Sequence, residues 1–255
     1  MVPPQLVEIQ SRSGQPDKIG RSRILIIAGL LLVLIDGNTL GQTSNTAAEF
    51  WPKLNAAVEV RPKTRIQFWW QKQDGEDFDF NEWKVGALVS YRMKPILKPH
   101  RGDIDEDNEH HLVLGAGYEY LQTDQNDQIK REHRIILEST PRYLHDTGLL
   151  LEDRNRVELR WVNGNFSARY RNKLKVQRDF NVDKLRFTPY ASGELFYDGD
   201  HHSWNKNQYA FGVQLPYKNR LMLDFYYLRQ NCSTCSQDPL NVVGVTLNLY
   251  FRRKK

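Results

Sequence analysis

The sequence predicts an all-β fold: an antiparallel up-and-down transmembrane β-barrel of about 12 strands, with about ten as the next count. Three observations carry this. Long segments alternate apolar and polar residues, the period of a strand with two different faces. These segments run roughly 9–13 residues, which suits tilted membrane strands and exceeds the roughly five or six of soluble ones. The chain also opens with the pattern of an export signal and closes on an alternating strand that ends at Phe251.

At the N-terminus, Arg21 and Arg23 precede an apolar run over residues 24–35, interrupted by Asp36. A run of about a dozen apolar residues after basic ones has the size of a signal-peptide core, and is short for a spanning helix, which needs roughly 20. Small residues near Gly41 place the cleavage at Gly41–Gln42. Residues 1–41 are therefore expected to be a signal peptide and residues 42–255 the barrel domain. An uncleaved N-terminal anchor is the alternative, and either one takes the chain out of the cytoplasm.

The strands follow in order. Residues 49–60 (EFWPKLNAAVEV) begin near a proline, which a strand tolerates at its start or at an edge. A turn at Arg61-Pro62-Lys63 leads to residues 64–71 (TRIQFWWQ), and after an acidic loop residues 82–93 alternate again. The longest polar insertion, residues 94–109, reads as a solvated loop. Its Asp103, Asp105 and Asp107 are spaced like calcium ligands, but the glycine such a loop requires is missing. Residues 110–121 put Leu112, Leu114, Ala116, Tyr118 and Tyr120 on one face and Gly115 and Gly117 on the other. A strand near residues 131–143 and a turn at residues 145–148 precede the most regular stretch of the chain.

That stretch is a hairpin. Residues 149–161 and 166–176 flank Asn163-Gly164-Asn165, and Asn-Gly between alternating runs is the strongest local hairpin signal. Val157, Leu159, Trp161, Phe166, Ala168, Tyr170, Leu174 and Val176 share one face. Arg156, Glu158, Arg160, Arg169, Arg171, Lys173 and Lys175 share the other. A charge on a lipid face costs about 2–4 kcal/mol near the midplane, so a membrane barrel would turn the second set inward as a basic lumen cluster. After a turn over residues 179–183, residues 184–197 point Leu185, Phe187, Pro189, Ala191, Leu195 and Tyr197 outward and Arg186, Thr188, Tyr190, Ser192 and Glu194 inward. A second hairpin covers residues 207–215 and 220–229. In the last strand Val243, Val245, Leu247, Leu249 and Phe251 recur at every second position. This resembles the C-terminal signal read by the barrel-assembly machinery of bacterial outer membranes, except that Arg252 to Lys255 follow the aromatic residue.

Eleven such segments can be counted, and because single-chain bacterial barrels normally have an even number of strands, twelve is expected. The aromatics Trp51, Trp69, Trp70, Trp83, Trp161, Trp204, Tyr226, Tyr227 and Tyr250 fall toward strand ends, the composition of an interfacial girdle.

Charge and cysteine usage narrow the function. There are 36 Lys and Arg against 31 Asp and Glu, a net charge of +5 that drops to +4 beyond Gly41. The surplus is mild and scattered, so no nucleic-acid partner is indicated. Cys232 and Cys235 lie between two strand-like runs and, in an exported chain, are a candidate loop disulfide. Free thiols and a metal or redox role remain alternatives, although a metal would need further ligands. No metal, cofactor or catalytic residue is assigned.

The EFWPKLNAAVEV opening, the RVELRW and ARYRNKLKV hairpin and the PYASGELFY strand together resemble the domain-of-unknown-function 2490 family of bacterial outer-membrane barrels, over residues 49–251. The resemblance implies a barrel in the bacterial outer membrane, with lipid as its surroundings, and implies no activity, substrate or catalytic residue.

Three functions follow as expectations. The first is an outer-membrane barrel that is structural or a narrow solute path, with a net-basic lumen in which the inward cations pair with Glu119, Glu138 and Glu194 or attract anions. The second is an outer-membrane lipid hydrolase using Ser192 with His201 or His202 and an acid. The third is a secreted soluble β-sandwich.

Overall fold

The computed structural model describes residues 47–75, 80–96, 104–125, 128–183, 185–218, 220–234 and 239–252. The expected signal peptide lies outside the described residues.

Alternation dictates strands, and short turns connect them. The strands are β1 (Ala47–Arg61), β2 (Thr64–Gly75), β3 (Phe80–Pro95), β4 (His110–Gln125), β5 (Gln128–Leu144), β6 (Leu149–Val162), β7 (Asn165–Arg178), β8 (Phe180–Val182), β9 (Leu185–Asp198), β10 (Ser203–Tyr217), β11 (Leu221–Cys232) and β12 (Leu240–Phe251). From β2 on, each pairs antiparallel with the strand before it, except that β8 does not pair with β7 and β9 takes both as partners. β7 and β8 are thus one bent side of a hairpin. The bend falls at Asp179, whose carboxylate accepts hydrogen bonds from Arg186 (2.9 Å) and Thr188 (2.7 Å). The turn expected over residues 179–183 shrinks accordingly, and the chain reverses after Asp183, where φ is +54°.

Eleven strands therefore close the ring, one fewer than the twelve expected, and β8 is the short extra piece. In an up-and-down ring with an odd count, the first and last strands run the same way. Only a parallel ladder can join them. β1 and β12 form that ladder, in register from Ala47 opposite Leu240 to Val58 opposite Phe251. Pro52 lies in this seam opposite Val245, and the β1–β2 ladder skips residues 51 and 52, as a residue without an N–H requires. A closed ring has no free edge and is not the two packed sheets of the sandwich alternative.

The ring strands run 12 to 17 residues, longer than expected, because the hairpin ladders continue almost into their turns. At the Asn163-Gly164 turn, φ is +47° and +88°. Both residues are left-handed, as the tight turn that suits the right-handed twist of strands demands.

The period of two divides the side chains into two surfaces. Phe50, Phe68, Val89, Leu137, Phe211 and Val243 point outward and are 49–64 % exposed. The hairpin's apolar set points outward with them. In mid-strand this outer face is interrupted by Asp153, Asn155 and Asn172, which bond to one another while Tyr170 donates to Asn155. The inner face is buried but mostly polar. Two apolar clusters fill part of it: Trp51, Ala210, Leu228, Leu240 and Val242 near the rim where β12 begins, and Ala57, Ile104, Met222 and Tyr250 near the rim where it ends.

Glycines make room for the inner aromatics. A Cβ on Gly86 would lie 2.2 Å from the Trp69 ring, and one on Gly244 would lie 2.0–2.4 Å from the Tyr226 ring. The aromatic residues consequently do not form a single outer girdle. Trp70, Trp204 and Tyr227 are outward and exposed, whereas Trp51 and Tyr250 are buried in the interior. Composition alone does not separate the two faces.

The Gly244→Val substitution should lower stability by about 1–3 kcal/mol, the usual result of overpacking. Gly193→Ala, whose new Cβ meets only Tyr209 at 3.7 Å, should be neutral. Thermal unfolding in detergent checks both, and equal midpoints for the two variants would contradict the inner packing.

Candidate functional site

The interior is the candidate site, built from strand parity. On β5, Glu132, Arg134, Glu138 and Arg142 point in; on β6, Glu152, Arg154, Arg156, Glu158 and Arg160; on β7, Arg169, Arg171, Lys173 and Lys175; on β9, Glu194 and Asp198. Register sets several like charges directly opposite: Arg134 faces Arg160, and Arg156 faces Arg171. Such pairs repel unless carboxylates separate them. Glu132 accepts from both Arg134 and Arg160, each at 2.5 Å, and Arg160 binds it in a two-pronged fashion. Glu158, fully buried, accepts from Arg171 at 2.8 Å and lies 4.0 Å from Arg156. Glu194 accepts from Arg171 (2.8 Å) and Arg154 (2.9 Å). Glu138 accepts from Arg156 (2.6 Å), Glu119 from Arg134 (2.8 Å), and Asp198 from Arg169 (3.0 Å). Lys173 lies across from Glu194 in register, and the Lys175 ammonium is 4.5 Å from the centroid of the Tyr190 ring.

The four arginines of the hairpin's charged face thus meet carboxylates of β5 and β9 and the hairpin's own Glu158, while Lys173 faces Glu194 in register and Lys175 lies over Tyr190. Glu138 and Glu194 are among them, whereas Glu119 holds Arg134 of β5. Glu132, Glu152 and Asp198 were missed. Their inward parity follows from the outward Ile135 and Leu137 on β5, Leu151 and Val157 on β6, and Leu195 and Tyr197 on β9, so the alternation could have found them.

The insertion between β3 and β4 is the larger correction. Residues 104–109 turn into the barrel rather than into solvent; residues 97–103, with Asp103, lie outside the described residues. A single 310 turn, Glu106–Glu109, is capped by the Asp105 carboxylate, which accepts from the Asp107 N–H. Asp105 pairs with Arg65 at 2.6 Å. Asp107, buried, pairs with Arg65 and with Arg92. Arg92, 1 % exposed, also binds Glu59 and Glu106. Ile104 packs among Ala57, Met222 and Tyr250, and Arg252 closes over its carbonyl and Glu106. The segment plugs the rim at which β12 ends. It is bound by arginines, as aspartates in a low-dielectric site require. Behind it lies a chamber of about 160 Å³ lined by Glu138, Arg142, Glu152 and Arg154.

Other expectations end differently. Ser192 faces inward, but His201 and His202 lie beyond Asp198 at the far rim, roughly 20 Å away at the rise of a strand. Glu194 is held by two arginines, so the Ser–His–acid arrangement is not assembled. His110 and His111 contact the backbone carbonyls of Glu106 and Arg142, and among the described residues no three His, Cys, Asp or Glu side chains converge to hold a metal. Cys232 is buried at the end of β11; Cys235 lies outside the described residues.

Removing a shared acid should be costly. Glu132→Ala leaves Arg134 and Arg160 without their common partner, and breaking a buried ion pair costs about 3–5 kcal/mol; chemical unfolding in detergent checks it, and a loss under about 1 kcal/mol contradicts the network. The plug gives a pH dependence. Burial raises the Asp105 pKa, but the Arg65 guanidinium outweighs it and brings the group from 3.8 down to about 2. A lowered carboxylate stabilises fully above its ordinary value and stops doing so as pH falls through the lowered one. The wild type should therefore lose stability between about pH 4 and 2 more steeply than Asp105→Asn, measured as the two unfolding midpoints against pH.

The family described as "Protein of unknown function (DUF2490)" matches residues 48–241. No curated protein shows a significant match. Among solved structures, LpxR from Salmonella typhimurium superposes with a TM-score of 0.47 at 9% identity, over 73% of this chain and 83% of that one. A bacterial polysaccharide outer membrane secretin gives 0.34 at 10%, over 74% and 83%. With the family matched across most of its length, the chain belongs to the DUF2490 family.

Proposed function

We propose that the protein is a bacterial outer-membrane barrel with an occluded lumen, structural in role rather than an open diffusion path. One observation carries this: the surface that faces out is apolar and exposed, while the surface that faces in is charged, paired and buried. A water-soluble protein arranges its faces the other way. Lipid is the solvent that matches large outward apolar side chains.

Two features support occlusion. The arginine-bound plug of residues 104–109 fills one rim, and the Trp51 cluster fills part of the other. The arginines of the hairpin are matched by carboxylates, so the net-basic wall serves mainly to hold the interior together. In this setting Phe251, outward at the end of β12, is the residue the barrel-assembly machinery reads, and Cys232 and Cys235 form a disulfide that closes the loop after β11.

The test is fractionation of expressed protein, followed by gel mobility with and without boiling and by planar-bilayer conductance. We expect a membrane fraction, a band shifted by heat, no alkylatable thiol before reduction, and negligible conductance that rises in Asp107→Asn. A soluble protein with no heat shift overturns the membrane placement. Steady wild-type channels overturn the occlusion.

A further inference from the structure

We infer that the outer wall carries an interface for a second copy of this chain, centred on a polar patch over β5, β6 and β7. The inference rests on the membrane placement proposed above. Asn155 lies at the middle of β6, with Ser139 of β5 opposite it on one side and Asn172 of β7 on the other. Asp153 is the next outward residue of β6 toward the plugged rim. Apolar outward residues flank the patch in both directions along each strand: Pro141 and Leu137 on β5, Leu151 and Val157 on β6, Leu174 and Ala168 on β7. The outward charges Lys72, Arg131 and Arg229, by contrast, each stand within three residues of a strand end.

Such a patch is out of place against lipid. Hydrocarbon offers no hydrogen bonds, and a charge at this depth is costly. The patch satisfies itself in part. The Asp153 carboxylate accepts from Asn172 at 2.6 Å and from Asn155 at 3.2 Å. The Asn155 side-chain oxygen accepts from Tyr170 at 2.5 Å and from Asn172 at 3.1 Å. Two groups are left over. Among the described residues the Ser139 hydroxyl has no hydrogen-bond partner, and Asn172 Oδ1 accepts no hydrogen bond. Neither atom is enclosed, so both can be met from outside the barrel.

A spare donor and a spare acceptor make the patch self-complementary, as an isologous two-fold contact requires. A second copy inserted in the same direction also carries its patch at the same depth in the bilayer. Serine and asparagine side chains then bond across the contact, as they do between packed membrane segments. A cationic partner has less to gain, because the one charge of the patch, on Asp153, already takes two amide donors. The surrounding leucine and valine side chains meet the partner as readily as they meet lipid.

The experiment follows the full chain, folded in a neutrally buoyant detergent, by sedimentation equilibrium over a range of protein-to-detergent ratios. Ser139→Ala removes a hydroxyl that makes no bond within the chain. The double variant Asn155→Leu with Asn172→Leu makes the centre of the patch apolar. Val243→Leu on β12, across the ring, is the control. Boiled against unboiled mobility verifies that each folds. We expect a wild-type dimer, a dissociation constant raised about tenfold in the double variant, as the loss of one or two intramembrane hydrogen bonds implies, a smaller rise in Ser139→Ala, and no change in Val243→Leu. A folded wild type that stays monomeric throughout overturns the interface, and so does a dimer whose dissociation constant is unchanged in both folded patch variants. A chain that stays in solution without detergent and shows no heat shift overturns instead the membrane placement on which the interface rests.

Discussion

One parallel ladder between β1 and β12 completes the backbone hydrogen bonding of the ring. Ten antiparallel joins bring the chain almost round, and an odd ring must then close on two strands that run the same way. The unbroken pairing from Ala47–Leu240 to Val58–Phe251 does this. Without it, β1 and β12 would each present an open edge, which is a template for aggregation in water and untenable in hydrocarbon. Closure also fixes which parity of every strand points in. All later features, from the arginine rows to the glycine pockets, inherit that choice.

Inside, the structure resolves a conflict between charge and burial. The register brings Arg134 against Arg160 and Arg156 against Arg171. Burying cations in this way is tolerable only because Glu132, Glu158 and Glu194 each serve two neighbours. Buried pairs are poor evidence of extra stability, since well-packed apolar residues often do as well. Their better-supported use is to specify arrangement. A slip of one residue between β5 and β6 would turn Arg156 and Arg160 outward and leave Glu132 and Glu138 unpaired inside. The network therefore selects the register, and the plug extends the same chemistry across one rim through Asp105 and Asp107.

Much of this was legible in the sequence, for a local reason. Facing is a period-two property, so the outward sets Val157 to Val176 and Val243 to Phe251 could be read directly, and Asn163-Gly164 announced its own turn. What escaped depended on distant partners. The closing ladder joins residues about 190 positions apart, and only an expected even count argued about it, wrongly. The plug looked like solvent-facing loop because Asp105 and Asp107 find their arginines on β2 and β3. Trp51 and Tyr250 looked like girdle residues because hydrophobicity does not say which side of a wall a ring occupies.

The central claim is that one face of every ring strand meets lipid while the other meets a closed, charged interior. Spin labels at Phe68, Leu137 and Val243, compared with labels at Gln67, Glu138 and Val242, measure this directly in reconstituted bilayers through collision with oxygen and with a water-soluble nickel complex. The outward labels should be open to oxygen and shielded from nickel, and the inward labels shielded from oxygen. Outward labels that collide with nickel as freely as a label in water would contradict it.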